Sequence, residues 1–307
     1  MPEPAHRARS PLSALLVGAS LVRLHIVAIA CLATSVFGWA FTGHWWWLAV
    51  GCAAVDWFVI NLLNRVADLE EDRINGVLGA DVASRYPRAL SALCWVALIG
   101  SLVASHVVAP ALTPWRILCH LIGFPYNFRL LPGGARFKEL YALKNLASGA
   151  IFLVTVLAYP LALAFSEGGG GLLADVTWTT VALSGAFFLA FELSYEVIYD
   201  LRDAPGDAEA KVPTFPVVHG PVVAARIADA LIFTSMVVLV GGHVSGHVPW
   251  RVAVMLVAPV VHWILYRRWQ SRGLEGADCV ALTWIGALQL ALYHGWVAVG
   301  LPLARPF

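Results

Sequence analysis

Charge is scarce in this chain. Only 13% of its 307 residues are Asp, Glu, Lys or Arg, roughly half the share of a water-soluble domain. The few charges nearly cancel, because twenty Lys and Arg meet nineteen Asp and Glu for a net +1. No global field attracts a polyanion, which excludes a nucleic-acid binder. Cysteine is thin as well. Cys31, Cys52, Cys94, Cys119 and Cys279 all lie in apolar runs. None makes a Cys-x-x-Cys or a Cys/His pair of metal-binding spacing, so they read as small buried hydrophobes rather than a disulfide or metal framework. His243 and His247 have an i,i+4 spacing but lack a third ligand for zinc. A cleaved leader is not expected either. Residues 1–11 are short and polar, and the apolar stretch after them is too long for a signal core.

Apolar residues are abundant. They make up 60% of the chain, and the mean hydropathy is +0.75. The composition excludes a soluble enzyme and a disordered chain, and leaves a polytopic membrane protein. A spanning helix needs about twenty mostly apolar residues. That rule gives nine segments, near 12–42, 46–63, 88–108, 112–131, 140–165, 176–199, 216–241, 249–267 and 278–301. Gly and Pro punctuate the connections, as at Pro132-Gly133-Gly134 and Gly168 to Gly171. The expected fold is all-α: a short cytoplasmic tail over 1–11, then one transmembrane bundle of nine helices over 12–307.

Positive charge sets the orientation. With a cytoplasmic N-terminus, fifteen of the twenty Lys and Arg fall on the cytoplasmic side. Arg116, Arg251 and Arg305 fall on the other side with the C-terminus, and Arg23 and Arg226 lie within spans. Trp45, Trp46 and Trp47 suit an aromatic belt on the far side. The location that follows is integral to a membrane, of the bacterial inner-membrane type. Asp56 lies inside the second span, where an acid is either functional or held by buried hydrogen bonds. His25 and His294, also within spans, are expected to make polar contacts between helices.

The acids are clustered. Residues 64–72 and 196–209 hold nine of the nineteen, at the cytoplasmic ends of the second and sixth spans. Asn64, Asp68 and Asp72 are spaced i, i+4, i+8, on one face of a helix. Asp200, Asp203 and Asp207 are spaced i, i+3, i+7, although Pro205-Gly206 threatens to move Asp207 onto a turn. Like charges at such spacing repel, and a divalent cation reverses the sign of that interaction. Two carboxylate groups facing each other suit Mg²⁺, which takes octahedral oxygen ligands from one or two carboxylates, water and substrate phosphate. A ligand with a diphosphate head and an apolar tail fits a polar mouth over a dry interior. Glu192, Tyr195, Glu196 and Tyr199 line the turns before the second cluster. They either orient an acceptor and take its proton, or serve as an Arg partner and interfacial anchors.

At these residues the chain resembles the UbiA superfamily of intramembrane prenyltransferases. The Asn-x-x-x-Asp-x-x-x-Asp signature appears as NRVADLEEDRIN over 64–75. The Asp-x-x-Asp-x-x-x-Asp signature with its Thr-x-Pro appears in YDLRDAPGDAEAKVPTFPVVHG over 199–220. The resemblance implies nine helices, with Mg²⁺ held by Asp68, Asp72, Asp200, Asp203 and Asp207. Those acids, with Glu196, would be the catalytic set. Asn64, Arg23, Arg73, Tyr126, Arg129, Lys138, Lys144, Arg202 and Lys211 would bind substrate. Departures are visible. Only Arg85 and Pro87 stand in for a basic, Pro-rich segment after the first motif, Tyr126-x-x-Arg129 replaces a Tyr-x-x-x-Lys, and Lys211 stands near the usual Gly before Thr-x-Pro. The implied reaction is transfer of an isoprenoid from a polyprenyl diphosphate to a small-molecule or lipid acceptor, aromatic or quinone-precursor by family frequency. The partners expected besides these are membrane lipid, with no nucleic acid and no obligate protein. A terpene cyclase of the same superfamily shares the first chemical step and is the alternative. A transporter or non-catalytic membrane protein is the third reading, and no paired broken helices or inverted repeats support a transporter.

Overall fold

The computed structural model describes residues 11–300, apart from Asn75, Ala142 and Glu167. Most of the expected tail, with Arg7 and Arg9, and also Arg305, lie outside the described residues. The chain forms α1 (Pro11–Leu21), α2 (Leu24–Thr42), α3 (Trp47–Ala67), α4 (Leu69–Ile74), α5 (Ala80–Arg85), α6 (Pro87–Val108) and α7 (Thr113–Asn127). Then follow α8 (Leu143–Ala164), α9 (Trp178–Glu209), α10 (Phe215–His219), α11 (Pro221–Val244), α12 (Trp250–Gln270) and α13 (Gly276–Ala298). No strand occurs among the described residues; one isolated bridge joins Leu131 and Ala135.

Eight of these helices are long and apolar enough to cross a membrane: α2, α3, α6, α8, α9, α11, α12 and α13. The ninth expected span, 112–131, is represented by α7, which has 15 residues and a proline, Pro125, near its end. The long first run, 12–42, breaks in two. Arg23 takes a left-handed conformation, φ +48°, between α1 and α2. In α9 the helix runs through Pro205 to Glu209, so Asp207 stays helical and does not move onto a turn.

Helix ends follow ordinary chemistry. Pro87 and Pro221 open α6 and α11, where a missing N–H is no loss. Thr177 caps α9 by accepting from the Thr180 amide at 3.3 Å. Lys211, just past α9, is left-handed at φ +57°, and the Val212 amide donates back to the Asp207 carbonyl at 2.8 Å. That is a Schellman-type end with Lys where Gly is usual.

α2, α3 and α8 are the most enclosed spans, each 61% buried, while only 17% of α6 is buried. The outer face of α6, with Leu93, Val96, Ile99 and Val103 exposed, is an apolar surface of the kind a spanning helix turns to lipid. The core gathers Phe37, Trp57, Ile60, Phe152 and Val156 from the central helices. Close approach needs small residues. A Cβ on Gly149 of α8 would meet Leu189 Cδ1 of α9 at 2.8 Å.

Asp56 organises the half of the bundle away from the acidic motifs. It is fully buried and accepts from Arg116 Nε at 2.9 Å, Arg116 Nη2 at 2.5 Å and Tyr159 Oη at 2.7 Å. His120 Nε2 lies 3.0 Å from the same carboxylate. Arg116 also donates to the Ser101 carbonyl and to Ser105 Oγ, each at 2.8 Å. The network ties α3, α6, α7 and α8 together. Of the two uses the sequence leaves open for Asp56, the buried hydrogen-bonded one is observed. Arg116 does not face the water beyond the membrane as its position near a span end suggests, because the acid inside α3 draws it in. Trp45 stacks on Trp39 and lies 4.0 Å, centroid to centroid, from His294, at the end opposite the acidic motifs.

Candidate functional site

The first motif sits where α3 gives way to α4. Asp68 caps α3 with φ −110°, ψ 30°. The Asp68 amide donates to the Asn64 carbonyl, and the Asp72 amide to the Asp68 carbonyl, each at 2.9 Å. Asp68 is thus the hinge between two helices, ending α3 and accepting the first bond of α4. Asn64 Nδ2 donates to Asp68 Oδ2 at 2.5 Å and to Asn127 Oδ1 at 3.1 Å, and Asn127 in turn donates to the Ile60 carbonyl. The side chain is thereby oriented from two directions.

The second motif lies on the last three turns of α9. Asp200 and Asp207 share one ammonium, Lys144 Nζ, at 2.7 and 3.4 Å. Asn145 Nδ2 donates to Asp200 at 3.0 Å. Asp203 turns to its neighbour Arg202, whose Nε donates to it at 2.7 Å. The helix segments carrying the two motifs, Leu69–Ile74 and Trp178–Glu209, pack against each other. Both acid sets therefore occupy one end of the bundle.

Cations close the gathering. Between α7 and α8 the chain turns at Pro132–Gly134 and sends Arg136 and Lys138 to the first motif. Lys138 Nζ meets Asp68 at 2.6 Å and Glu71 at 2.5 Å, and Arg136 Nη1 meets Asp68 at 3.0 Å. Arg65 of α3 pairs with Asp72 at 2.8 Å. Glu139 sets this segment by accepting from the Arg136 amide at 3.2 Å and from Arg136 Nε at 2.9 Å. Burial pushes the Glu139 carboxyl up. The Arg136 amide and guanidinium, with Arg129, outweigh it, so the group titrates below its ordinary range. Arg65 lies within electrostatic range of Arg23 and Arg202, and His25 within range of all three. Arg23 makes no ion pair with any described residue. Three guanidiniums thus lie within electrostatic range of His25, one of them without a counter-ion, which suits an anion.

Every Asp of the two motifs thus has a cationic partner, and among the described residues no three His, Cys, Asp or Glu side chains already form a metal cage. One oxygen stands out. Asp72 Oδ2 is buried without a hydrogen-bond partner, and so is Arg65 Nε beside it. An orphaned carboxylate oxygen in a carboxylate-rich mouth suits a hard cation, and the orphaned N–H suits an anion.

The structure brings together Asn64, Asp68, Asp72, Arg23, Lys138, Lys144, Asp200, Arg202, Asp203 and Asp207. Tyr126 joins them, within electrostatic range of Glu196, Lys144, Arg23 and Asp200. Glu196 accepts from Ser148 Oγ at 2.6 Å, not from an arginine. Arg73 and Lys211 are exposed and outside the gathering. Arg129 is 65% exposed and pairs with Glu139 at 2.8 Å. Sequence reasoning did not single out Arg65, Glu71, Asn127, Arg136, Asn145 or Ser148 as site residues. The signal for Arg65 and Glu71 was their place inside the first motif, and the others become visible only when distant segments meet.

None of the curated proteins matches. A sequence model described as the UbiA prenyltransferase family matches residues 21–288. Among solved structures, the chain is similar to a UbiA homologue from Archaeoglobus fulgidus bound to GPP and Mg²⁺, with a TM-score of 0.69 and 16% identity over 90% of this chain and 97% of that one. The same homologue bound to DMAPP and Mg²⁺ gives a TM-score of 0.69 at 15% identity, over 92% of this chain and 99% of that one. A digeranylgeranylglyceryl phosphate synthase gives a TM-score of 0.56 at 14% identity, over 93% and 96%. At these identities the structures show a shared fold. With the family match over most of its length and eight apolar helices of spanning length, the chain is an integral membrane protein that belongs to the UbiA prenyltransferase family.

Proposed function

We propose that the protein transfers an isoprenoid from a polyprenyl diphosphate to an acceptor inside the membrane, with Mg²⁺ as cofactor and the acidic mouth facing the cytoplasm. The observation that carries this reading is the packing of the two acid-bearing segments against each other, with Arg65 of the first motif in electrostatic range of Arg23 and Arg202. The Archaeoglobus homologue, bound to GPP or DMAPP with Mg²⁺, supports the choice of ligand.

The ion pairs of the mouth suggest an exchange. Asp68, Asp72, Asp200, Asp203 and Asp207 would hold Mg²⁺, with Asn64 and Glu71 beside them. Bound Mg²⁺ supplies charge neutralisation to the departing diphosphate. Lys138, Arg136, Lys144 and Arg202, released from their carboxylates, would take phosphate oxygens instead, joined by Arg23 and Arg65. Carboxylates and cations thus both keep partners when substrate enters. Behind the mouth the apolar interior excludes water, which would otherwise capture the allylic cation. Asn127 and Asn145 orient Asn64 and Asp200, and Tyr126 would stand within electrostatic range of both Lys144 and Glu196. Arg73, Arg129 and Lys211 would act at a distance, drawing the anionic head to the surface.

The proposed acceptor is a small electron-rich molecule of the phenol or quinone-precursor class, or a lipid. The aromatic interior, where Phe188 meets Phe37 and Phe152, also favours a second reading, cyclisation of the donor onto its own double bonds. Purified protein with Mg²⁺ and geranyl, farnesyl or geranylgeranyl diphosphate, with and without acceptor, separates the two. Turnover that needs acceptor supports transfer, and hydrocarbon without acceptor supports cyclisation. Absence of diphosphate release under every condition sinks both.

A further inference from the structure

Below the mouth, α9 carries a second polar step that the metal-binding motifs do not use. Asp200, Glu196, Glu192 and Phe188 recur every fourth residue, so each adjoins the next on the helix surface while the row drifts by about 40° and runs about 6 Å deeper at each step. Asp200 is tied to Lys144 and Asn145, and Glu196 to Ser148. Glu192 is 9% exposed and makes no hydrogen bond or ion pair; its electrostatic neighbours are Glu196 and Tyr195. A carboxylate buried in a membrane bundle without a partner is expensive. An unpartnered carboxyl at that depth is left to act on a molecule bound beside it.

One turn further in, the surroundings change to aromatic rings. Phe188 lies 5.5 Å from Phe37 and 6.2 Å from Phe152, and Phe152 lies 4.0 Å from Trp57, between ring centroids. These rings come from α2, α3, α8 and α9 and converge in the bundle centre. Aromatic faces stabilise a cation, and Glu192 stands at the step between them and the mouth.

We infer that Glu192 is the proton acceptor of the reaction, placed to take the proton that the alkylated species must lose. The inference rests on the prenyl-diphosphate reading above and adds to it the group that ends the reaction. The allylic C–O bond breaks, and its electron pair leaves with diphosphate. A π pair, from an electron-rich acceptor ring or from the donor's own distal double bond, forms the new C–C bond and leaves a cation beside a C–H bond. That C–H bond breaks, its electron pair restores the double bond, and the proton passes to the Glu192 carboxylate. The substrates that fit are therefore those that end in loss of a proton, an aromatic acceptor or a cyclising isoprenoid. Simple hydrolysis does not need this residue.

The test compares wild type with Glu192→Gln, which keeps size and polarity but cannot accept the proton. Full-length protein is incubated with Mg²⁺ and geranylgeranyl diphosphate, with hydroquinone as acceptor probe and without it. Diphosphate, prenylated hydroquinone, olefin and prenyl alcohol are measured. Glu192→Gln should lower the proton-losing product about 10²–10⁴-fold, while diphosphate release persists and prenyl alcohol replaces the lost product. Glu192→Asp, which restores a carboxylate, should recover part of the product. Loss in the acceptor arm identifies the aromatic source of the proton, and loss in the acceptor-free arm the isoprenoid source. Product formation by Glu192→Gln within about threefold of wild type overturns the inference. So does a parallel fall in diphosphate release, which would give Glu192 a structural or ionisation role. Diphosphate release by wild type with prenyl alcohol as sole product also overturns it while leaving the diphosphate reading intact. No diphosphate release by wild type removes the reading itself.

Discussion

Replacing Asp56 by Asn should destabilise the protein far more than loss of a surface ion pair would. Asp56 and Arg116 have side chains with 0% exposure, and the carboxylate receives two guanidinium bonds, the Tyr159 hydroxyl and His120. An exposed pair is worth about 0–1 kcal/mol. Removing one partner of a buried pair leaves an uncompensated charge and costs about 3–5 kcal/mol. Asn keeps the shape but removes the charge that balances Arg116, whose remaining partners are Ser101 and Ser105. Unfolding in mixed micelles, driven by SDS titration, would measure the loss. Asp56→Leu with Arg116→Leu should be less damaging than either single change, because no charge is left behind. Asp56 lies eight residues before Asn64 on α3, about 12 Å along the helix. Diphosphate release by folded variant protein should therefore persist. A loss under about 1 kcal/mol for Asp56→Asn would refute the reasoning.

Further predictions concern the mouth and the helix ends. Lys138→Met and Arg136→Leu should each raise KM for the prenyl diphosphate about 10–100-fold, matching a charge-assisted hydrogen bond of about 1.5–3 kcal/mol; steady-state kinetics would show it, and an unchanged KM would end the exchange scheme. Lys211→Gly should stabilise the protein by about 1 kcal/mol, because Lys211 holds φ +57° and glycine adopts that conformation without steric strain; a lower unfolding midpoint would contradict this. Asp175 is held below its ordinary range, first by its hydrogen bond to Arg251 and then by that residue's charge. Its contribution is present above the unfolded-state value and is lost as pH falls through the folded one. The stability gap between wild type and Asp175→Asn should thus be flat from about pH 8 to 5 and shrink below about pH 4. The gap should be small, since Asp175 is 48% exposed, and a gap that opens towards acid pH would reverse the assignment.

Much of this was readable from residues alone, for identifiable reasons. Lipid imposes long apolar runs, so most spans show directly in the hydropathy. Asn64 and Asp68 stay together because the Asp68 amide reaches the Asn64 carbonyl and Asn64 Nδ2 reaches the Asp68 carboxylate, while Asp72 rides on the short helix that starts after Asp68. Asp200 and Asp207 converge on Lys144 because α9 runs on through Pro205. Two features escaped for a common reason. Arg116 was assigned by its position near a span end, yet Asp56, sixty residues earlier, decides where it points. Arg136 looked like one more basic loop residue until the segment after α7 folded back on the first motif. A pattern in sequence reports neighbours along a helix, whereas these pairings are set by packing between helices.

The most direct test is Mg²⁺-dependent diphosphate release from geranylgeranyl diphosphate by wild type, Asp72→Asn and Asp200→Asn, one variant from each motif. Metal-dependent release by wild type, abolished in both variants while each stays folded, is the predicted result. Release that persists in either variant, or that needs no metal, would contradict the claim that both motifs hold one diphosphate.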